Sequence, residues 1–115
     1  MRFTKDDIEK LTSLLRFDAD PMWIRLRSLL AERGVNVEAS ILVESFPDDT
    51  DFEFGVLITQ EGKVIQYGFS YIGRDVSEGE LSEWNDITAQ YLSTPYSESV
   101  AQGMEMRDAH GKFAS

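Results

Sequence analysis

Four carboxylates crowd one short stretch of the chain, at Asp48, Asp49, Asp51 and Glu53. Several carboxylates in one loop are what a hard cation such as calcium requires. An EF-hand loop also needs a central glycine and a distal glutamate in fixed order, and neither is in place here. The cluster therefore reads as a solvated hairpin tip, and no metal is expected. A second arrangement pairs Glu44 with Glu53. If the segments on either side of Pro47–Asp51 pair as strands, both carboxylates project from the same outer face. Such a pair runs glycosidic or proton-transfer chemistry only when an apolar pocket raises the pKa of one member. These two are expected to be exposed on an open sheet. His110 is the only histidine and there is no cysteine. A His-dependent triad or two-His metal site in the core, thiolate chemistry and disulfides are thereby set aside. The chain has neither a G-x-x-x-x-G-K nor a G-x-G-x-x-G phosphate loop. Gly68-Phe69-Ser70-Tyr71-Ile72 fails as a nucleophile elbow at its last position. The expectation is a protein that is not an enzyme and needs no cofactor.

Aromatic side chains could do a different kind of chemistry. Phe52, Phe54, Tyr67, Phe69, Tyr71, Trp84 and Tyr91 read mainly as core, filling the contact between a sheet and a helical layer. The alternative reading gives Trp23, Tyr67, Trp84 and Tyr91 to a small-ligand pocket between sheet and helices, as in a sensor or accessory domain.

The elements that would position these groups follow from local signals. Thr4 with Asp7 forms a short-armed capping box, Phe3 and Ile8 occupy the staple positions, and Ile8, Leu11, Leu14 and Leu15 recur at helical spacing. Asp20 and Pro21 start a second helix, with Met22, Leu26, Leu29 and Leu30 as its stripe and Gly34 as its stop. On that helix Arg27 is expected to stack on Trp23 at a solvated edge. The period then changes to two. Val37, Ala39, Ile41 and Val43 mark a first strand with one buried face. Phe52, Phe54, Val56 and Ile58 mark a second, and Ile65, Tyr67, Phe69 and Tyr71 a third. A two-residue Glu61-Gly62 loop would pair Ile58 with Ile65, Phe54 with Phe69 and Gly55 with Gly68, leaving a bare spot on the outer face. Ser77 and Glu80 suggest a helix carrying Leu81, Trp84, Ile87, Tyr91 and Leu92. Thr94 and Pro95 suggest a last one, which Gly103 weakens. The fold expected for residues 1–115 is a single α+β domain. Two N-terminal helices precede a three-stranded antiparallel meander, and one or two C-terminal helices pack on one face of the sheet.

Charge is the strongest functional signal. Residues 1–34 hold seven Lys/Arg against six Asp/Glu, whereas residues 35–115 hold four against fifteen. The net charge of −10 disfavours phosphate backbones and anionic lipid surfaces, so neither nucleic acid nor membrane is an expected partner. With no apolar run at the N-terminus and none of spanning length, a cytoplasmic protein is expected. An acidic, compact, cysteine-free chain of this size resembles, in composition, bacterial immunity proteins that neutralise basic nuclease toxins. That resemblance implies capture of a basic protein partner, here through Glu44, Glu53 and Leu57 on the open face of the meander, Asp48, Asp49 and Asp51 at its hairpin tip, and Glu78 and Glu83 at the start of the third helix. The exposed strand edges would also allow two copies to pair as a homodimer.

Overall fold

Both N-terminal helices begin where local chemistry dictates. In the computed structural model, which describes residues 3–48, 52–71 and 76–109, helix α1 spans Lys5–Phe17. The Asp7 amide donates to Thr4 Oγ1 at 3.2 Å, and the Thr4 amide donates back to Asp7 Oδ2 at 2.9 Å. This satisfies two amides that no helical carbonyl can reach. Helix α2 spans Pro21–Glu32, with Asp20 Oδ1 accepting from the Met22 amide at 2.9 Å. Its end is a left-handed Gly34 at φ +82°, with the Gly34 and Val35 amides returning to Ala31 and Leu30.

The sheet has four strands, not three: β1 Ile41–Asp48, β2 Phe52–Ile58, β3 Val64–Ser70 and β4 Glu80–Asp86, antiparallel in the order β1-β2-β3-β4. Val37–Ala39, read as the start of the first strand, is a 3₁₀ turn. Residues 80–86, read as helix, are the fourth strand. The misreading has a physical cause. Leu81 pairs with Phe69 and Trp84 with Tyr67, and the register shifts between them. The extra residue puts Leu81 and Trp84 on one face at a spacing of three, which imitates a helical stripe. Helix α3, Ser97–Ala109, follows.

The β2–β3 register also differs from the expected one. The loop is three residues, Gln60–Gly62, closed by Thr59 N–H to Lys63 O at 2.8 Å and Gly62 N–H to Thr59 O at 2.9 Å, with Gly62 left-handed at φ +87°. Ile58 therefore pairs with Val64, Gly55 with Tyr67 and Phe54 with Gly68. A one-residue slip turns every side chain of β3 over. Ile65, Tyr67 and Phe69 face away from Phe52, Phe54, Val56 and Ile58, and the expected Gly55–Gly68 bare spot does not form.

Such a sheet needs cover on both faces, and it has it. Trp23, Leu26 and Leu30 of α2 pack with Leu42, Leu57, Ile65, Tyr67 and Phe69. On the other face, Val100 and Met106 of α3 pack with Ile41, Val43, Val56, Ile58 and Val64. Gly103 sets how close α3 can come: a Cβ there would lie 2.5 Å from Val43 Cγ1 and 2.8 Å from Ile58 Cδ1. Helix α1 lies along the outer edge of β1 and sends Ile8 into one core and Leu15 into the other. Thr12 Oγ1 accepts from the Leu42 amide at 3.0 Å, and Arg16 Nη2 donates to Ser40 O at 2.9 Å.

The arginines of α2 are structural. Arg27 does not stack on a solvated Trp23. It donates to Leu15 O at 2.8 Å and to Asp18 O at 2.6 Å, satisfying carbonyls at the end of α1. Arg25 Nε donates to Gly79 O at 2.8 Å. Trp23 is buried.

Candidate functional site

The carboxylates singled out from the sequence do not end up on one surface. Glu44 and Glu53, expected to be exposed on the same face, are each only 2% exposed and lie on opposite faces of the sheet. Leu57 is fully buried. Asp49 and Asp51 lie outside the described residues, and Asp48 is placed at the end of β1. Glu78 and Glu83 are exposed, Glu78 in the 3₁₀ turn Val76–Glu78 that precedes β4 and Glu83 in the middle of that strand. Among the described residues, no three His, Asp or Glu side chains come together as a metal site.

Glu53 sits beneath α2 and is built into the fold by Gly55. With only hydrogen at Gly55, the Tyr67 ring lies directly over that backbone: a Cβ would be 2.2 Å from Tyr67 Cζ. The ring's hydroxyl then donates to Glu53 Oε1 at 3.0 Å, alongside Ser45 Oγ at 2.8 Å. Glu53 Oε2 is buried without a hydrogen-bond partner. Burial is the larger influence and raises the Glu53 pKa above 4.5, although both hydroxyl donors oppose it. Burial, then the neighbouring carboxylate, pushes the Tyr67 phenol well above its ordinary value. A carboxyl and a phenol sharing a proton could act in acid–base chemistry, but Tyr67 is fully buried and a substrate does not reach them. On the α3 face, burial likewise raises the Glu44 pKa, opposed by a hydrogen bond from Ser99.

The aromatic residues assigned to a pocket are also divided. Trp23 and Tyr67 belong to the core beneath α2 and Trp84 packs at its margin, whereas Tyr91 packs against the core on the α3 face. Trp84 lies under the Arg33 guanidinium, 4.8 Å from the ring centroid. It also borders a cleft of about 160 Å³, which Arg33, Asn36, Lys63, Ile65 and Asp86 help to line. Neither Trp23, Tyr67 nor Tyr91 lines that cleft.

What the strands do bring together is an open patch at the distal end of the α3 face, near the β1–β2 connection. Cover from the helical side reaches the row Glu44, Val56, Gln66 and Asn85. There Glu44 takes the Ser99 hydrogen bond and Gln66 Nε2 donates to Tyr96 Oη at 3.0 Å. The next row across the sheet is Phe46, Phe54, Gly68 and Glu83, and the one beyond it is Asp48, Phe52, Ser70 and Glu80. Burial along β2 marks the boundary: Val56 to Ile58 are buried in succession, whereas Phe52 and Phe54 are only half-buried. Phe46 is 38% exposed and Glu83 is exposed. The rings form two edge-to-face pairs, Phe3–Phe46 at 5.4 Å and Phe52–Phe54 at 4.6 Å between centroids. Phe46 was not among the residues the sequence singled out. Its signal is the cross-strand partnership with Phe54, which appears only once the β1–β2 register is known.

No protein-family model matches the chain, and comparison with curated proteins and with solved structures finds no match either.

Proposed function

We propose that the protein is a binding module that captures a basic protein partner on the distal half of the α3 face. The observation that carries this reading is the cross-sheet row Phe46–Phe54–Gly68–Glu83, where partly exposed aromatic rings run into an exposed carboxylate on the part of the sheet beyond the α3 contacts among the described residues. Aromatic centres ringed by polar groups are the usual anatomy of protein interfaces. Along this face β4 contributes two exposed carboxylates, Glu80 and Glu83. Residues 75–106, which include β4, contain no Lys or Arg and seven Asp/Glu: Asp75, Glu78, Glu80, Glu83, Asp86, Glu98 and Glu105. The arginines of α2 and its C-cap are held away from this face, Arg25 at Gly79 O, Arg27 at the end of α1 and Arg33 over Trp84 at the margin of the α2-face core. An inhibitor that masks a basic protein, the class suggested by composition, would use such a face. Steering by complementary charge would make its association fast and salt-sensitive.

The test is affinity capture from the source organism with wild-type protein and with a Phe46→Ser/Glu83→Lys variant, at low and at high salt. Support requires a basic protein that wild type retains at low salt, and that both high salt and the double substitution release. Capture that is indifferent to the substitutions, or a captured partner without excess positive charge, refutes the proposal.

A further inference from the structure

We infer that the distal face is specific for arginine: the partner's basic segment presents guanidinium groups, and a lysine-rich segment of equal charge is bound more weakly. This rests on the reading above and specifies its chemistry.

The argument starts at Gly68. A Cβ at this position would lie 2.8 Å from Phe52 Cζ, 3.2 Å from Glu83 Cβ and 3.3 Å from Glu83 Oε2. The missing side chain is therefore what lets an aromatic ring from β2 and a carboxylate from β4 meet across β3. On the same row Phe54 stands beside Gly68, and Phe46, 38% exposed, stands beside Phe54. The result is an aromatic shelf ending in a carboxylate, within the span of four strands set about 4.8 Å apart.

That combination discriminates between the two basic side chains. A guanidinium is planar and weakly hydrated. It can lie on a ring and still direct two parallel N–H groups at a carboxylate. A lysine ammonium is a compact, strongly hydrated charge, and contact with the shelf would strip water without offering that fork. The molecule already uses the same preference internally: Arg33 covers the Trp84 ring at 4.8 Å. The shelf is also stiff. Glu53, Gly55, Tyr67 and Phe69, which alternate with the shelf residues on β2 and β3, are all buried beneath α2. A partner therefore meets rings held in place before it arrives.

The experiment is a fluorescence-anisotropy titration of the whole protein with labelled octa-arginine and octa-lysine peptides at low salt. Octa-arginine is expected to bind about tenfold more tightly than octa-lysine. Phe46→Ser should reduce that preference, and Glu83→Gln should weaken octa-arginine about fivefold. Glu61→Gln, in the loop at the opposite end of the sheet, should leave both peptides unaffected, and circular dichroism confirms that each variant is folded. Equal affinity for the two peptides, or a preference untouched by Phe46→Ser, overturns the arginine inference while the basic-partner reading stands. Failure of both peptides to bind overturns the two together.

Discussion

Replacing Gly55 with alanine is the most demanding test of how the sheet is put together. The added methyl would lie 2.2–2.4 Å from Cζ, Oη and Cε2 of Tyr67, so one of the two must move. Tyr67 is fully buried beneath α2, among Leu42, Leu57, Ile65 and Phe69. It cannot swing aside without displacing neighbours. Overpacking of this kind costs about 1–3 kcal/mol. Lifting the ring also pulls its hydroxyl from Glu53 Oε1, and a buried polar group left unpaired costs about 1–3 kcal/mol more. The expected loss is about 2–6 kcal/mol from a total of about 5–15. With a urea slope of about 2 kcal/mol/M, the unfolding midpoint should fall by about 1–3 M. The measurement is urea unfolding of wild type, Gly55→Ala, Tyr67→Leu and the double variant. If the ring lying on the glycine is the cause, Gly55→Ala should cost under about 1 kcal/mol once the ring is gone. A midpoint shift below about 0.3 M in the wild-type background, or an equal cost in both backgrounds, refutes the reasoning.

Further outcomes follow from other contacts. Gly103→Ala gains about 1 kcal/mol of helix propensity, but its methyl would lie 2.5 Å from Val43 Cγ1, so overpacking of about 1–3 kcal/mol wins and the thermal midpoint should drop. Burial raises the Glu44 and Glu53 pKa values above 4.5. Their contribution to stability is therefore complete below the unfolded value and lost as pH rises through the folded one. Unfolding free energy should decline on their account as pH rises above about 4.5, and Glu53→Gln should flatten part of that decline. A Glu53→Gln profile parallel to wild type would refute this. Arg27→Lys keeps the charge but loses the fork that reaches Leu15 O and Asp18 O together. It should cost about 1–2 kcal/mol and reduce hydrogen-exchange protection at the end of α1, and unchanged protection would contradict that role.

The parts of the fold that could be read directly are those set by local chemistry. Thr4 and Asp7, or Asp20 and Pro21, need only their own neighbours to start a helix, and α1 and α2 begin where these residues stand. What escaped reading depends on residues far apart. Glu44 and Glu53 read as markers of a solvated face, because a carboxylate in a strand usually points to water. Here α3 supplies Ser99 to one and the opposite face supplies Ser45 and Tyr67 to the other. A counter-signal was present: Leu42 and Leu57 stand on the face presumed open, and both are fully buried. Apolar residues on both faces of a strand call for two covering layers. The assumption of one buried face also chose the wrong β2–β3 register, since it required both aromatic rows to share a side. In β4 the bulge near Ser82 put Leu81 and Trp84 at a helical interval. Of the proposed face, Glu83 was legible as an acid, but its neighbours Phe52 and Phe54 read only as core and Phe46 was silent.

The seal that α1 places on β1 has a consequence for growth. A sheet can extend indefinitely only if every unit offers two open edges, one to join and one to be joined. Thr12 occupies the Leu42 amide and Arg16 the Ser40 carbonyl just before the strand, while β4 lies at the other end of the strand order. An incoming strand would meet the first pairing positions of β1 already taken and would have to displace α1 to add there, whereas β4 closes the strand order with no helix reaching its edge through such bonds among the described residues.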